Sequence, residues 1–281
     1  MSMEFKFDLK IAGLPCVITC ERYNIFHQIE KYLNGFRFSD STNSHIAISI
    51  RQAKFLTAKT DIYIKNNITQ SSYSDSLLKI STLEGSCLFN SKIGRGDILV
   101  NCNGKVMINF IHFALMAIYK FILPIYGTIA VHSSSAIYKD RGILFVGASG
   151  AGKSTVVRGL PSCYTILHED LAFVTYENRC CYIYNPPVSS NFWYGLNYNT
   201  KANLQKIFFL KKSSCNKIYP ISTQSASKKL IQSVYGFGIK HPKSDKIFRI
   251  CCNIINSVPS YILKFCKDSP LSLEKLSWHK G

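Results

Sequence analysis

One segment near the middle of the chain constrains the fold more than any other. Residues 142–155 read GILFVGASGAGKST, in which four apolar residues lead into a glycine-rich turn that ends in Lys-Ser-Thr. The apolar run predicts a buried strand, and the residues after the turn permit a helix. Glycines let the backbone turn so that successive N–H groups face one anion. This order of elements predicts an α/β fold with an anion-binding loop.

The turn matches the phosphate-loop pattern G-x-x-x-x-G-K-[ST] as GASGAGKS. In this pattern the lysine reaches the β- and γ-phosphates, and the hydroxyl after it ligates Mg²⁺. The residues predicted to hold the nucleotide are Gly147, Ser149, Gly150, Ala151, Gly152, Lys153, Ser154 and Thr155. We therefore predict a bound nucleotide with magnesium.

An acidic pair follows the loop at short spacing. The sequence has no LSGGQ-like signature of transporter ATPases and no N/TKxD base reader of GTPases after the loop, but it has ILHEDLAFV with Glu169 and Asp170. A strand returning beside the loop would bring these carboxylates to its mouth. There one can hold magnesium, and the other can accept a proton from a substrate hydroxyl. An acidic strand end facing solvent is the other interpretation. The pairing with a phosphate loop favours phosphoryl transfer.

Three motifs in order, VHSSSAI, GILFVGASGAGKST and LHEDLAFV, resemble the HPr serine kinase/phosphatase family, whose nucleotide-binding core is shared with phosphoenolpyruvate carboxykinase. The later SVPSYILKF resembles the closing strand of that family, so the resemblance covers roughly residues 100 to 270. It implies an α/β fold with a mixed-sheet P-loop kinase core at residues 101–281, including a C-terminal lid and acceptor region. Residues 1–100 are predicted to form a small N-terminal α/β lobe.

The resemblance also implies roles for single residues. Lys153 falls on the phosphate-binding lysine, and Ser154 on the metal-binding hydroxyl. Glu169 falls on the acid that acts as base on the acceptor serine, and Asp170 on the acid that helps to hold the metal. His132 matches the family histidine beside the site, although a histidine on an apolar strand is more often a core residue.

The sequence departs from the family pattern in two places. Glu169 replaces the usual aspartate, and the extra methylene moves the carboxylate outward by roughly 1.5 Å. The long substrate-binding loop of the bifunctional enzymes is not found. The resemblance therefore implies kinase activity alone.

The expected function is an ATP-dependent kinase, with ATP and Mg²⁺ as cofactors. Its acceptor is expected to be a serine hydroxyl of a protein or a ribosomally made peptide, because small family members occur with peptide-modifying systems. A small-molecule acceptor stays open as an alternative. So does a nucleotide-binding regulatory module without turnover.

The charge balance bears on the partner. The chain of 281 residues has 34 Lys and Arg against 16 Asp and Glu, a net charge of +18. This surplus favours acidic partners, and long-range attraction would help an acidic protein or peptide acceptor. The basic residues are scattered, so no nucleic acid is expected, and a soluble basic surface is the alternative interpretation. The oligomeric state is left open, with a homo-oligomer as one option.

Two further features bear on the location of the protein. Residues 106–126 are apolar and long enough for a membrane span, but Asn109, His112 and Lys120 interrupt them, which favours a core helix. Eleven cysteines occur without a CxxC motif, and the start of the chain has no signal sequence. We therefore expect a cytoplasmic protein with reduced thiols and no membrane span.

Hydrophobic periodicity predicts the remaining elements. Strands are predicted for FKFDLKI, CVITC and HIAISI, two strands for GTIAVHSSSAIYKDRGILFVGAS, a strand pair for YTILHEDLAFVTY, and a final strand for SYILKFC. Helices are predicted for ERYNIFHQIEKYLNGF, ASKKLIQSVYGF and IFRICCNIINSV. The other residues near the C-terminal end are interpreted as basic loops. Together these elements predict a mixed sheet wrapped by helices.

Overall fold

The structure is a computed structural model, and it describes residues 4–38, 45–52, 70–101, 103–187, 200–236 and 241–266. Contacts divide the chain into two units, Met1–Ile122 and Leu123–Gly281. Each unit has strands and helices, so the protein belongs to the mixed α/β class. These units differ from the predicted domains in that the long apolar helix falls in the first unit. The predicted domains themselves stay a prediction.

The first unit contains a seven-stranded mixed sheet in the order β1–β2–β3–β7–β6–β5–β4. Strands β2, β3 and β7 are parallel neighbours, and the other pairs are antiparallel. The elements are β1 (Phe5–Ile11), β2 (Leu14–Cys20), α1 (Tyr23–Leu33), β3 (Ile46–Gln52), β4 (Gln70–Tyr73), β5 (Leu77–Ser81), β6 (Gly85–Asn90), β7 (Arg95–Val100) and α2 (Gly104–Ile122). Burial alternates along the first three strands, so one face of the sheet faces the core.

The sequence predictions for this unit hold for its first half. Strands β1, β2 and β3 and helix α1 form where they were predicted. Strands β4, β5 and β6 were not predicted. Among the described residues, α2 is also the one helix long and apolar enough to cross a membrane: together with the short turn after it, it spans Gly104–Tyr126, and 61% of its most apolar window is buried.

The second unit contains a nine-stranded mixed sheet in the order β11–β9–β10–β14–β13–β12–β8, in which β16 pairs with both β14 and β15. The strands are β8 (Thr128–Val131), β9 (Ser133–Tyr138), β10 (Arg141–Val146), β11 (Thr165–His168), β12 (Ala172–Glu177), β13 (Cys180–Tyr184), β14 (Lys201–Lys212), β15 (Lys217–Pro220) and β16 (Ser260–Phe265). The helices are α3 (Lys153–Arg158), α4 (Thr223–Gln232) and α5 (Ser244–Ser257).

The two faces of this sheet bury different helices. Alternate residues of β14, such as Ile207 and Phe209, join the core cluster that contains the apolar residues of α4 and α5. Phe208, between them, joins the cluster formed with α3. This alternation follows from the two-residue period of a strand, and it gives β14 apolar side chains on both faces.

Two short links join the ends of this sheet. His132 alone connects β8 to β9, and residues 169–171 connect β11 to β12. Strands β9 and β11 are neighbours at one end of the strand order, whereas β8 and β12 are neighbours at the other end. Because the links are so short, the sheet must curl until its two ends meet. The residues in both links therefore lie close together.

Three predictions for this region need correction. The segment predicted as two strands forms three, because the chain changes sheet neighbours at His132. Strands β11 and β12 both form, but they do not pair with each other: β11 pairs with β9, and β12 with β8 and β13. The basic loops predicted in the last seventy residues contain β15, and no strand was predicted for β14. The predicted helices α4 and α5 and strand β16 do form, although part of the predicted α4 segment lies outside the described residues.

Candidate functional site

The glycine-rich loop joins β10 to α3. Gly150 and Gly152 have positive φ values of 73° and 95°, a conformation that side chains other than glycine rarely adopt. A Cβ atom on Gly152 would lie 2.2 Å from the ring of Phe265, whereas nothing lies within 4 Å of a Cβ on Gly150. The loop is thus packed on one side and open on the other.

Lys153 is the first residue of α3, and it is buried. Its Nζ donates hydrogen bonds to the carbonyl oxygens of Gly147 and Ala148 at 3.0 and 3.2 Å. Its own carbonyl oxygen accepts a hydrogen bond of 3.1 Å from the buried hydroxyl of Ser134. Burial lowers the pKa of Lys153, and the charge of Asp170 opposes this shift. A cation with little water around it favours an incoming anion.

A pocket of about 810 Å³ lies over this loop, a volume typical of ligand sites. The residues that line it are His132, Ser149, Gly150, Gly152, Lys153, Ser154, Thr155, Asp170, Lys212, Ser213, Ser214, Phe265 and Cys266. Of the predicted site residues, Gly147, Ala151 and Glu169 are not in this lining. A Cβ on Gly147 would lie 2.8 Å from the Cβ of Ala151, so these two residues pack against each other beneath the loop.

His132 and Asp170 meet in the pocket, although they are far apart in the chain. Each lies in one of the two short links that join the ends of the sheet, and His132 Nε2 is 2.9 Å from Asp170 Oδ1. An ionised carboxylate only accepts hydrogen bonds, so the proton of this bond belongs to Nε2. Nδ1 of the neutral ring is then the nitrogen that can accept a proton.

Tyr235 holds the other oxygen of Asp170, and its hydroxyl donates to Oδ2 at 3.3 Å. Burial, together with the Asp170 carboxylate, raises the pKa of Tyr235 to about 12, so the hydroxyl keeps its proton at neutral pH. Two backbone hydrogen bonds fix this segment to the end of β8, from His132 N to Ser233 O and from Tyr235 N to Ala130 O. The sequence prediction missed Tyr235, because the tertiary fold, and no local pattern, brings it to Asp170.

Glu169 has a different environment from its neighbour. Its two carboxylate oxygens accept hydrogen bonds from Nε and Nη2 of Arg158 at 2.8 and 2.6 Å, and its side chain is 9% exposed. The turn itself is held by His168, whose Nδ1 accepts from the backbone N–H groups of Asp170 and Leu171 at 3.1 and 3.0 Å. Glu169 thus joins this turn to the end of α3. Its role as a base stays a prediction.

The ends of β14 and β16 form the opposite wall of the pocket. The sequence did not predict that these strand ends line the site. Lys212 and Phe265 are register partners on these strands. The Ser213 N–H donates to Phe265 O at 2.9 Å, and the Cys266 N–H donates to Asn216 Oδ1 at 2.8 Å. These bonds fix the loop after β14 against the end of β16.

Oxygen ligands for a hard cation are present in the pocket. Ser154 and Asp170 both line it, and magnesium prefers hydroxyl, carboxylate and phosphate oxygens. Within the described parts of the chain, no group of three or more His, Cys, Asp or Glu side chains forms a metal cluster. The ten described cysteines are free thiols.

The fold and this pocket define a mixed α/β protein with a pocket over a glycine-rich loop. A family model described as SynChlorMet cassette protein ScmC matches residues 96–268, which is more than half of the chain, so the protein belongs to this family. The match suggests a peptide-modifying cassette system, and it does not identify the HPr kinase-like family. No curated protein matches the chain.

Proposed function

We propose that the protein is an ATP-dependent phosphotransferase that phosphorylates a serine hydroxyl of a protein or a ribosomally made peptide. The observation that carries this proposal is the pocket that brings together the glycine loop, Lys153, Ser154, Asp170 and His132. The resemblance of three motifs to HPr serine kinases supports the same reaction. Membership in a cassette family supports a peptide as the acceptor.

The loop and Lys153 would bind the phosphates. Lys153 Nζ now bonds to two loop carbonyls, and a γ-phosphate oxygen would take the place of one of them. The open space over Gly150 lets the nucleotide approach the backbone closely. The pocket is also large enough for a nucleoside beyond the phosphates, with Lys212 on its opposite wall.

Ser154 and Asp170 would hold the magnesium ion, which when bound neutralises charge on the phosphates. Asp170 is suited to this role because two partners, His132 and Tyr235, fix both of its oxygens. Each oxygen keeps a second lone pair for a cation.

The proton of the acceptor hydroxyl needs a base in the pocket. His132 lines the pocket, and its Nδ1 can accept a proton while Nε2 donates to Asp170. Glu169, the base implied by the family resemblance, has both oxygens bound by Arg158. We therefore propose His132 as the base, with Glu169 as the alternative that mutation can distinguish.

The net charge of +18 supports an acidic acceptor. The proposed use of ATP fits a cytoplasmic setting. A small-molecule acceptor would use the same pocket and the same chemistry. A regulatory module would bind the nucleotide without turning it over.

Thermal unfolding tests the nucleotide site first. Magnesium-ATP at about one hundred times its Kd should stabilise the protein by about 2.7 kcal/mol, because it binds only the folded state. Lys153→Ala should remove the shift in melting temperature and keep the fold. Lys206→Ala is the matched control, because Lys206 is also a partly buried lysine with a pKa lowered by burial, but it does not line the pocket. No shift across millimolar magnesium-ATP would overturn the proposal.

Transfer is tested next with labelled ATP and the peptides encoded beside this chain. Label on a peptide serine supports the proposed reaction, and label on a metabolite supports the small-molecule alternative. Binding of ATP with no transfer to either acceptor supports the regulatory module.

A further inference from the structure

Three lysines stand side by side on neighbouring strands at one end of the second unit's sheet. Lys211 of β14 pairs in register with Lys264 of β16, which pairs with Lys217 of β15. We call these three residues the lysine row. Lys211 and Lys217 are exposed, and Lys264 is half-buried. Residues paired in this way have Cβ atoms about 5 Å apart, and like charges at that distance destabilise a sheet.

None of the three strands contains an acidic residue that could offset this charge. The sequence contains no Asp or Glu from residue 178 to residue 244, and none from 260 to 266. Among the described residues, the ion pairs of the protein do not include any lysine of the row. The Nζ of Lys264 lies 5.7 Å from the centre of the Tyr219 ring, and this contact stabilises one cation of the row without neutralising it.

Protection of a sheet edge does not account for the lysine row. A lysine on an edge strand discourages pairing with another chain, and this could account for Lys217, since β15 pairs with β16 alone among the described strands. Lys264 belongs to β16, which has strand neighbours on both sides. Lys211 pairs with β16, two residues beyond the end of the pairing between β14 and β10. Their alignment costs stability to the sheet, and an external anion would remove that cost.

The lysine row lies beside the candidate active site. Lys211 and Lys217 flank the loop whose Ser213 and Ser214 line the pocket. The next residues along two of these strands, Lys212 and Phe265, also line it. Because successive residues of a strand point to opposite faces, the row is on the other face of the sheet, next to the rim of the pocket. A chain bound along the row can therefore reach the pocket around the end of the sheet.

We propose that the lysine row is a docking site for an acidic peptide segment, separate from the nucleotide pocket. Strands lie about 4.8 Å apart, so the row is roughly 10 Å long and matches three or four residues of an extended peptide. Three cations neutralise few phosphates, which gives weak binding of a nucleic acid. The inference that the docked segment presents its serine to the pocket rests on the proposed function. The inference that the segment binds to the lysine row does not depend on that function.

Fluorescence anisotropy with a labelled octaglutamate peptide tests the proposal in the full-length protein. The row variant is Lys211→Gln/Lys217→Gln/Lys264→Gln. The control variant is Lys139→Gln/Arg179→Gln/Lys201→Gln, which removes the same charge from three exposed residues outside the row. Lys139 and Lys201 lie at the opposite end of the strands, and Arg179 lies in the turn between β12 and β13. We expect the row variant to bind the peptide about tenfold more weakly and the control variant to bind within twofold of the parent. Equal losses in both variants would overturn the proposal.

Two further measurements separate the lysine row from the nucleotide pocket and from a site for another kind of anion. Lys153→Ala should bind octaglutamate as the parent does, even where the nucleotide proposal fails. Oligothymidylate and anionic phospholipid vesicles serve as rival ligands. If the row variant loses more affinity for either of them than for octaglutamate, the proposal of a peptide site is overturned. If the row variant does not fold, Lys211→Gln/Lys217→Gln repeats the test at the two exposed positions.

Discussion

Glu169 and Asp170 are neighbours in the chain, but their carboxylates have different partners. Asp170 is 63% exposed and bonds to His132 and Tyr235, whereas Glu169 is nearly buried and bonds to Arg158. The longer side chain of Glu169 suits this second arrangement, because it must reach the end of α3. The glutamate, at a position where the HPr serine kinases that the sequence resembles usually have an aspartate, thus has a structural reason in this protein.

The substitution Glu169→Gln separates the two assignments of the base. We expect a loss of about 1–2 kcal/mol in the free energy of unfolding, less than for a fully buried pair because Arg158 is half exposed. Phosphoryl transfer, measured with saturating magnesium-ATP, should stay within about threefold of the parent rate. Urea titration measures the free energy of unfolding. A fall of two to four orders of magnitude in transfer, with magnesium-ATP binding intact, would instead identify Glu169 as the base.

Two controls accompany this variant. Arg158→Gln removes the other partner of the pair and should reproduce the loss of stability. Asp170→Asn, in contrast, should abolish the magnesium dependence of ATP binding, because a hard cation prefers charged oxygen ligands. Asp140→Asn, at an exposed turn, should change neither property.

Tyr235→Phe tests whether the tyrosine hydroxyl positions Asp170. Outer-shell partners of metal ligands are typically worth about ten- to a hundredfold in metal affinity, and the exposure of Asp170 favours the low end of that range. We therefore expect about a tenfold loss of ATP affinity with magnesium, measured by titration calorimetry, and no change in EDTA. Equal losses in both conditions would mean that the hydroxyl acts independently of the metal, since the substitution keeps the ring and removes only the hydroxyl.

At the scale of elements, local patterns predicted the helices and part of the strands, but not which strands pair. The apolar run before the glycine loop forms β10, and the helix after it forms α3. Strand β14 was missed because lysines at both ends of KANLQKIFFLKK look like a basic loop, and its middle is buried on both faces. The meeting of His132 with Asp170 depends on the curl of the sheet, which no window of sequence contains. The loop residues of the site were predictable, because they belong to one contiguous sequence motif.

Gly152 and Gly150 offer a graded test of the loop. Alanine at either position must adopt a left-handed conformation, at about 1–2 kcal/mol. At Gly152 the added Cβ also meets the Phe265 ring, which adds about 1–3 kcal/mol of overpacking. We expect Gly152→Ala to lower the free energy of unfolding and the ATP affinity more than Gly150→Ala does. When Phe265→Ala is added to each variant, the difference between their losses in the free energy of unfolding should become smaller. An equal loss for Gly150→Ala and Gly152→Ala in the presence of Phe265 would refute the packing role of Phe265.

At the scale of the whole molecule, the candidate site belongs to one of the two units. The family match begins at residue 96, so most of the first unit lies outside it, while every residue of the pocket lies within it. The positive charge is unevenly distributed in the second unit, where the stretch without acids includes β13, β14, β15 and α4. The surface beside the pocket is therefore more basic than the composition alone implies.

Helix α2 decides how the whole protein should partition between water and membrane. It has the length and hydropathy of a span, but ten of its residues, among them Met107, Ala114 and Ile122, are buried within the protein. A spanning helix would have to give up this packing and carry Lys120 and His112 into lipid, at a cost of several kcal/mol. We expect the protein in the supernatant after lysis without detergent and ultracentrifugation.

The net charge of +18 makes a salt wash necessary in that experiment, because electrostatic attraction alone could hold a basic protein on anionic lipid. Protein that leaves the pellet in 1 M salt is bound by charge, because the Debye length falls to about 3 Å at this salt concentration. This result would agree with a buried α2. Protein that leaves the pellet only with detergent would mean that α2 enters the bilayer. A variant with Phe113→Ser, at an exposed position of α2, should not change the partition if the helix packs as described.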